Sequence, residues 1–235
     1  MDTLSDLRAA VQADLTVGSE STLYSPTTID LAINRAYRKA GAMFNWTELM
    51  DAKKTTTVAG QEYYDYPSTW RSNSVWKVKV NSERYGEDPD GSPLSFDDYL
   101  NWKEDYPSST DKKWSNQERR YFIWPVPTTS GLEICVHGMM VTTTLSTDAS
   151  VTIFSYSMPE GNEAVVLEAV AILKNKASEE KLGTFRSQEA KQLLSTAWSK
   201  VAKEKGKYEK NMPFFDVPNY FGNSSTKDLR GLFDI

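Results

Sequence analysis

The 235-residue chain predicts an α+β protein. Helices from its N- and C-terminal parts form one helical bundle domain, an antiparallel β-domain is inserted between them, and an extended C-terminal arm follows. Three observations carry this reading. Apolar residues recur at helical spacing up to about residue 50. From about 54 to 156 the chain turns to β-branched and aromatic segments parted by turn residues. Helical spacing returns at 157 and fades after about 206. The expected division is therefore 1–50 with 157–206 for the discontinuous helical domain, 51–156 for the inserted β-domain, and 207–235 for the arm.

Leu4, Leu7, Val11 and Leu15 share one face of a helix from about 3 to 15. A second helix opens with Ser25 as N-cap and Pro26 in the first helical position, where the missing N–H of proline costs nothing. Its apolar stripe is Ile29, Ile33, Ala36, Tyr37, Ala40 and Phe44. Strands are expected in "KTTTVAGQEYYDYP", "SVWKVKVNS", "RRYFIWPVP", "LEICVHGMMVTTTL" and "SVTIFSY". Between the polar loops "RYGEDPDGSP" and "EDYPSSTDKKWSNQE", the segment "SFDDYLNWKE" reads as a short helix with Ser95 and Asp98 as a capping box.

Ser157 and Glu160 look like a second capping box, before a helix that is apolar almost all round between 164 and 173 and so expected to be buried on several sides. After a break near Gly183, Ala190, Leu193, Leu194, Ala197, Trp198 and Val201 define the stripe of the last helix. Its other face is polar.

Composition narrows the chemistry. The apolar share is 39% and the mean hydropathy −0.54, and no segment approaches the roughly 18 apolar residues of a membrane span. The N-terminus lacks the basic start and apolar stretch of a signal peptide, so synthesis in a cytoplasm is expected. Cys135 is the single cysteine and His137 the single histidine; on one strand their side chains point in parallel, so both are expected to be structural.

Asp88 and Asp90 resemble the start of a calcium loop, but the twelfth position is Tyr99 where a glutamate is needed. Asp97 and Asp98 diverge on a helix. Glycine-rich phosphate loops and metal-binding histidine motifs are absent from the sequence. The expectation is no catalytic residue, no cofactor and no metal.

The net charge of −5 does not suit a protein that neutralises phosphates, although an acidic wall suits DNA that must slide past. Tyr63, Tyr64, Tyr66, Trp70, Trp76, Tyr121, Phe122 and Trp124 form either the core and rim of the β-domain or a platform for stacking sugars or bases. Phe214, Phe215, Tyr220 and Phe221, set around Pro213 and Pro218 without helical or strand period, are expected to bind a partner or, in the competing reading, to pack the arm across its own domain.

The order of segments then becomes informative. "IDLAINRAYRKAGAMFNW" is followed by "TTTVAGQEYYDYPSTWRS", "RRYFIWPVP", a strand ending in "TLSTDAS", and the helix "PEGNEAVVLEAVAILKNKASEE". This resembles the head-to-tail adaptor (connector, neck) proteins of tailed bacteriophages, including the tail-tubular-protein-A-like group. Gly60, Tyr64 and Pro67 match the family's glycine–tyrosine–proline strand. Pro125 and Pro127 match its paired prolines, and Ala164, Ala169 and Ala171 lie in its alanine-rich helix. The resemblance spans about residues 4 to 205.

It implies a structural virion protein at the head–tail interface, assembled as a homo-oligomeric ring, commonly twelve-fold, beneath the portal protein. Tail or neck proteins would be its other partners, and genomic DNA would pass through the channel without tight binding; no membrane is involved. The arm would dock on the portal or an adjacent subunit, for instance by adding a strand to an exposed edge. The competing readings are an aromatic-rich carbohydrate- or receptor-binding module of a virion, and a hydrolase whose carboxylates converge only on folding.

Overall fold

Leu4, Leu7, Val11 and Leu15 are all buried in the computed structural model of the chain, which describes residues 2–15, 24–86, 91–156, 158–177 and 179–206. They belong to α1 (Leu4–Leu15). In α2 (Pro26–Met43) the Ser25 hydroxyl accepts a hydrogen bond from the Thr28 N–H at 3.3 Å and Pro26 begins the helix, as the sequence predicts. Ile29, Ile33, Ala36, Tyr37 and Ala40 are buried along its inner face, with Phe44 half-buried at its end.

Two further helices complete this part of the core, α4 (Pro159–Lys176) and α5 (Glu180–Gly206). α4 packs against α1, α2 and α5. Contact on three sides is why its sequence is apolar almost all round. Ala190, Leu194 and Ala197 of α5 are buried against it, while Leu193, Trp198 and Val201 pack at the margin. Trp46 lies at the centre of an aromatic group with Phe44, Phe154 and Trp198, at centroid separations of 5.0 to 5.6 Å.

Two antiparallel sheets occupy the middle of the chain. β1 (Met50–Thr56), β7 (Glu133–Met139), β3 (Lys77–Val80) and β4 (Glu83–Tyr85) form one in the order β1-β7-β3-β4. β2 (Tyr63–Asp65), β6 (Arg120–Trp124) and β5 (Lys113–Gln117) form the other, in the order β2-β6-β5. The fold is thus mixed α+β, with five helices among the described residues.

The inner faces of the sheets share a core of Val78, Val80, Ile134 and Val136 from the larger sheet and Tyr64, Trp114, Tyr121 and Ile123 from the smaller. Trp70 seals one end of it. Its ring lies so close over Gly138 that a Cβ there would come within 2.1 Å. α3 (Phe96–Asp105) begins where Ser95 accepts from the Asp98 N–H at 3.1 Å.

Three local expectations are corrected. The segment 150–156 is not a strand: Val151 makes one isolated bridge to Thr3, and residues 153–156 turn. Phe154 is buried instead among Tyr37 and Trp46, and the Ile153 N–H donates to the Tyr37 hydroxyl at 3.1 Å. Burial against the helices outweighs the β-propensity of Val-Thr-Ile-Phe, because these residues meet no strand that would continue the pairing.

The N-cap of α4 is Met158, without a side-chain cap, and Pro159 supplies the start; Ser157 lies outside the described residues. The break between α4 and α5 falls at 177–179, not at Gly183. Gly183 is inside α5, where a Cβ would lie 2.1 Å from Asn175 Oδ1 and 3.0 Å from the Ala171 carbonyl. Its missing side chain serves close helix approach rather than helix termination.

Candidate functional site

Most of the aromatics singled out in the sequence are structural. Tyr64, Tyr66, Trp70 and Tyr121 are buried, with Tyr64 stacked on Tyr121 at 5.6 Å. Burial pushes the Tyr66 and Tyr121 hydroxyls well above the usual tyrosine range. Phe122 and Trp124 point to the other face of the small sheet, and α3 covers that face. Phe96 meets Phe122 at 4.9 Å and Lys103 lies over the Trp124 ring at 5.3 Å. Tyr99 of α3 donates to Glu62 at 2.9 Å, and Lys103 binds the same carboxylate at 2.7 Å. Tyr63 stays exposed, with the Arg120 guanidinium 4.8 Å from its ring centre.

The layers therefore run α3, small sheet, large sheet, and then the outer face of the large sheet. That last face is set by register. Val78, Val80, Ile134 and Val136 point inward, so Lys77, Lys79, Cys135 and His137 point outward. Pairing then aligns Lys54, Cys135, Lys79 and Arg84 in one row across all four strands, and Ala52, His137 and Lys77 in the next. Among the described residues, Lys54, Lys77, Lys79 and Arg84 stand on this face, and Glu133 pairs with Lys54 at 2.9 Å.

The outer side of α3 has the opposite sign. Asp97, Asp98, Glu104 and Asp105 are exposed there, beside Leu100 and Asn101.

Cys135 and His137 do lie side by side on the outward face, with Sγ 3.8 Å from Nε2. His137 is half-buried and tilted against Trp76 at 6.4 Å. Burial, and then the nearby Lys77 and Lys79, hold its pKa below the ordinary histidine value. The pair sits on an open sheet face, not in a cleft that would hold a substrate.

A surface hollow of about 400 Å3 lies elsewhere, lined by Asp65, Tyr66, Gln117, Glu118, Arg119, Arg120 and Phe122. Arg120 and Asp65 within it pair with each other at 3.0 Å, and Arg119 donates to the Trp70 and Pro67 carbonyls. These groups are engaged in holding the β2–β6 end together.

Among the described residues no group of three or more His, Cys, Asp or Glu side chains could hold a metal ion, and no helix is long and apolar enough to cross a membrane. Phe214, Phe215, Tyr220 and Phe221 lie outside the described residues, as do Asp88 and Asp90.

The basic row was missed in the sequence reading. Its signal was present in the strict Lys-Val-Lys-Val alternation at 77–80, which puts both lysines on one side of a strand. Lys54 and Arg84 join that side only through strand order.

A family model described as SU10 adaptor protein matches residues 2–210. Among curated proteins none matches the chain.

Proposed function

Because the chain belongs to the SU10 adaptor protein family, a family of phage adaptors, we propose that it is a structural component of the head–tail interface, working by assembly and not by catalysis. The family match over most of the chain is the observation that carries this reading. In it, copies form a closed ring, twelve in number, under the portal protein; tail or neck proteins bind below, and the DNA channel continues through the centre. A ring requires a heterologous contact that closes after a fixed number of copies. A net charge of −5 favours a channel wall that does not retain phosphates.

The proposed division of labour gives residues 1–50 and 157–206 to the ring, 51–156 to contacts with the tail or neighbouring neck proteins, and 207–235 to docking. Phe214, Phe215, Tyr220 and Phe221 are the proposed anchors of that docking segment, on the portal or an adjacent subunit. Two core clusters support the first two parts: one joins α1, α2, α4 and α5, and the other joins the two sheets.

Mass measurement on connectors isolated from particles is the direct test. A ring of many copies is expected. Dimers or trimers of this chain would refute the ring.

A further inference from the structure

The two outer layers of the β-half carry opposite charge and face away from each other. Lys54, Lys77, Lys79 and Arg84 stand on the exposed side of the four-stranded sheet. Asp97, Asp98, Glu104 and Asp105 stand on the exposed side of α3, which lies beyond the three-stranded sheet. We propose that the basic sheet face of one copy receives the acidic α3 face of the next, so that neighbours contact each other head to tail through their β-halves. This rests on the ring reading and adds a contact between β-halves to the one it assigns to the helical parts.

Geometry favours a second copy over other occupants. A patch and its complement on opposite sides of one body cannot both be satisfied in a two-fold dimer. Each copy must turn one face to each of two neighbours, and such a contact propagates until it closes. Leu100 and Tyr106, exposed on and just after α3, add apolar area beside the acids. Half-buried Cys135 and the lysine stems offer the matching surface on the sheet. Burial first, and then Lys77 and Lys79 beside it, hold the His137 pKa below the ordinary value.

The sheet face measures roughly 15 Å each way, on the order of 200 Å2, from strand spacing and rise. That is well under the ~800 Å2 per partner of a stable complex. The contact therefore sets orientation and register more than affinity, weakens with salt, and leaves dilute copies unassembled until other contacts join.

Crosslinking within particles tests it. In a Cys135→Ser background, Lys79→Cys and Asn101→Cys place one thiol on each face without removing an acid. A short bis-maleimide should join the doubly substituted full-length chain into a ladder beyond dimers, while either single variant stays monomeric. Multi-copy connectors that give no ladder end this inference and leave the ring intact. Connectors of two or three copies end both.

Charge reversal is the second arm. Lys77→Glu with Lys79→Glu should lower incorporation into particles at least tenfold while keeping the parent's melting temperature. Adding Asp97→Lys and Glu104→Lys should restore it. Failure of that rescue overturns the inference. So does normal incorporation with altered DNA retention, which would assign the basic face to nucleic acid.

Discussion

Lys39 on α2 donates from Nζ to Oε1 of Glu168 on α4, and Oε2 of the same carboxylate accepts from Ser187 Oγ on α5 at 2.8 Å. One carboxylate, with a side chain 10% exposed, thus ties three helices. Burying a charge is unfavourable unless partners replace its water, and here two do.

Lys39→Met leaves Glu168 buried with a hydroxyl alone. Removing one partner of a fully buried pair costs about 3–5 kcal/mol; with the Lys39 side chain 34% exposed, about 2 kcal/mol is expected. Lys39→Met combined with Glu168→Leu should recover most of it, since apolar packing then replaces the pair. Chemical denaturation of the three proteins is the measurement. A neutral Lys39→Met would show that the contact contributes nothing to stability.

Phe154 and Tyr156 distinguish the turn from a strand. On a strand they would share a face. In the structure Phe154 is fully buried and Tyr156 is 73% exposed. Phe154→Ala should destabilise by about 3–5 kcal/mol, as for a large core ring. Tyr156→Ala should stay within about 0.5 kcal/mol. Similar losses at both positions would contradict the placement.

His137 gives the protein an acid-sensitive component. Its folded pKa lies below the ordinary value of 6.5, because burial and then Lys77 and Lys79 disfavour the imidazolium. The unfolded chain therefore binds more protons than the folded one as the pH drops below about 6.5. Stability from this group is complete above that pH and is lost as the pH falls through the lower, folded value. His137→Gln should flatten the fall of the melting temperature between about pH 7 and 5. Parallel profiles for the two proteins would refute the assignment.

Deleting 207–235 separates docking from folding. Among the described residues, the side chains of the two core clusters run from Leu4 to Val201. The truncated protein should keep the parent's melting temperature and fail to join portal-containing particles. A truncation that unfolds the isolated chain would make the segment part of its own core.

The helices were legible residue by residue. Leu4, Leu7, Val11 and Leu15, the α2 stripe from Ile29 to Ala40, and the caps at Ser25 and Ser95 all stand where local pattern puts them. α4 announced its burial on several sides through its composition. Less was legible where the outcome depended on a neighbour. Val-Thr-Ile-Phe has β-propensity, but propensity does not say whether a strand waits beside it. Gly183 looked like a break because glycine ends helices; it is needed where α5 crosses close to Asn175. The resemblance to phage adaptors was legible in the order of segments, and the family match bears it out.

By itself, then, the sequence determined which side chains share a face, because periods of 3.6 and 2 are properties of a few consecutive residues. It determined the caps for the same reason, since a cap is made within one turn. Tertiary structure alone decided which faces meet. Lys54 and Lys79 share a row only because β7, far along the chain, inserts between their strands and pairs with both. Contacts between distant residues depend on how much surface each arrangement buries. No local pattern holds that quantity, so the sequence showed only the Lys77–Lys79 pair of this face, and not that Lys54 and Arg84 join it.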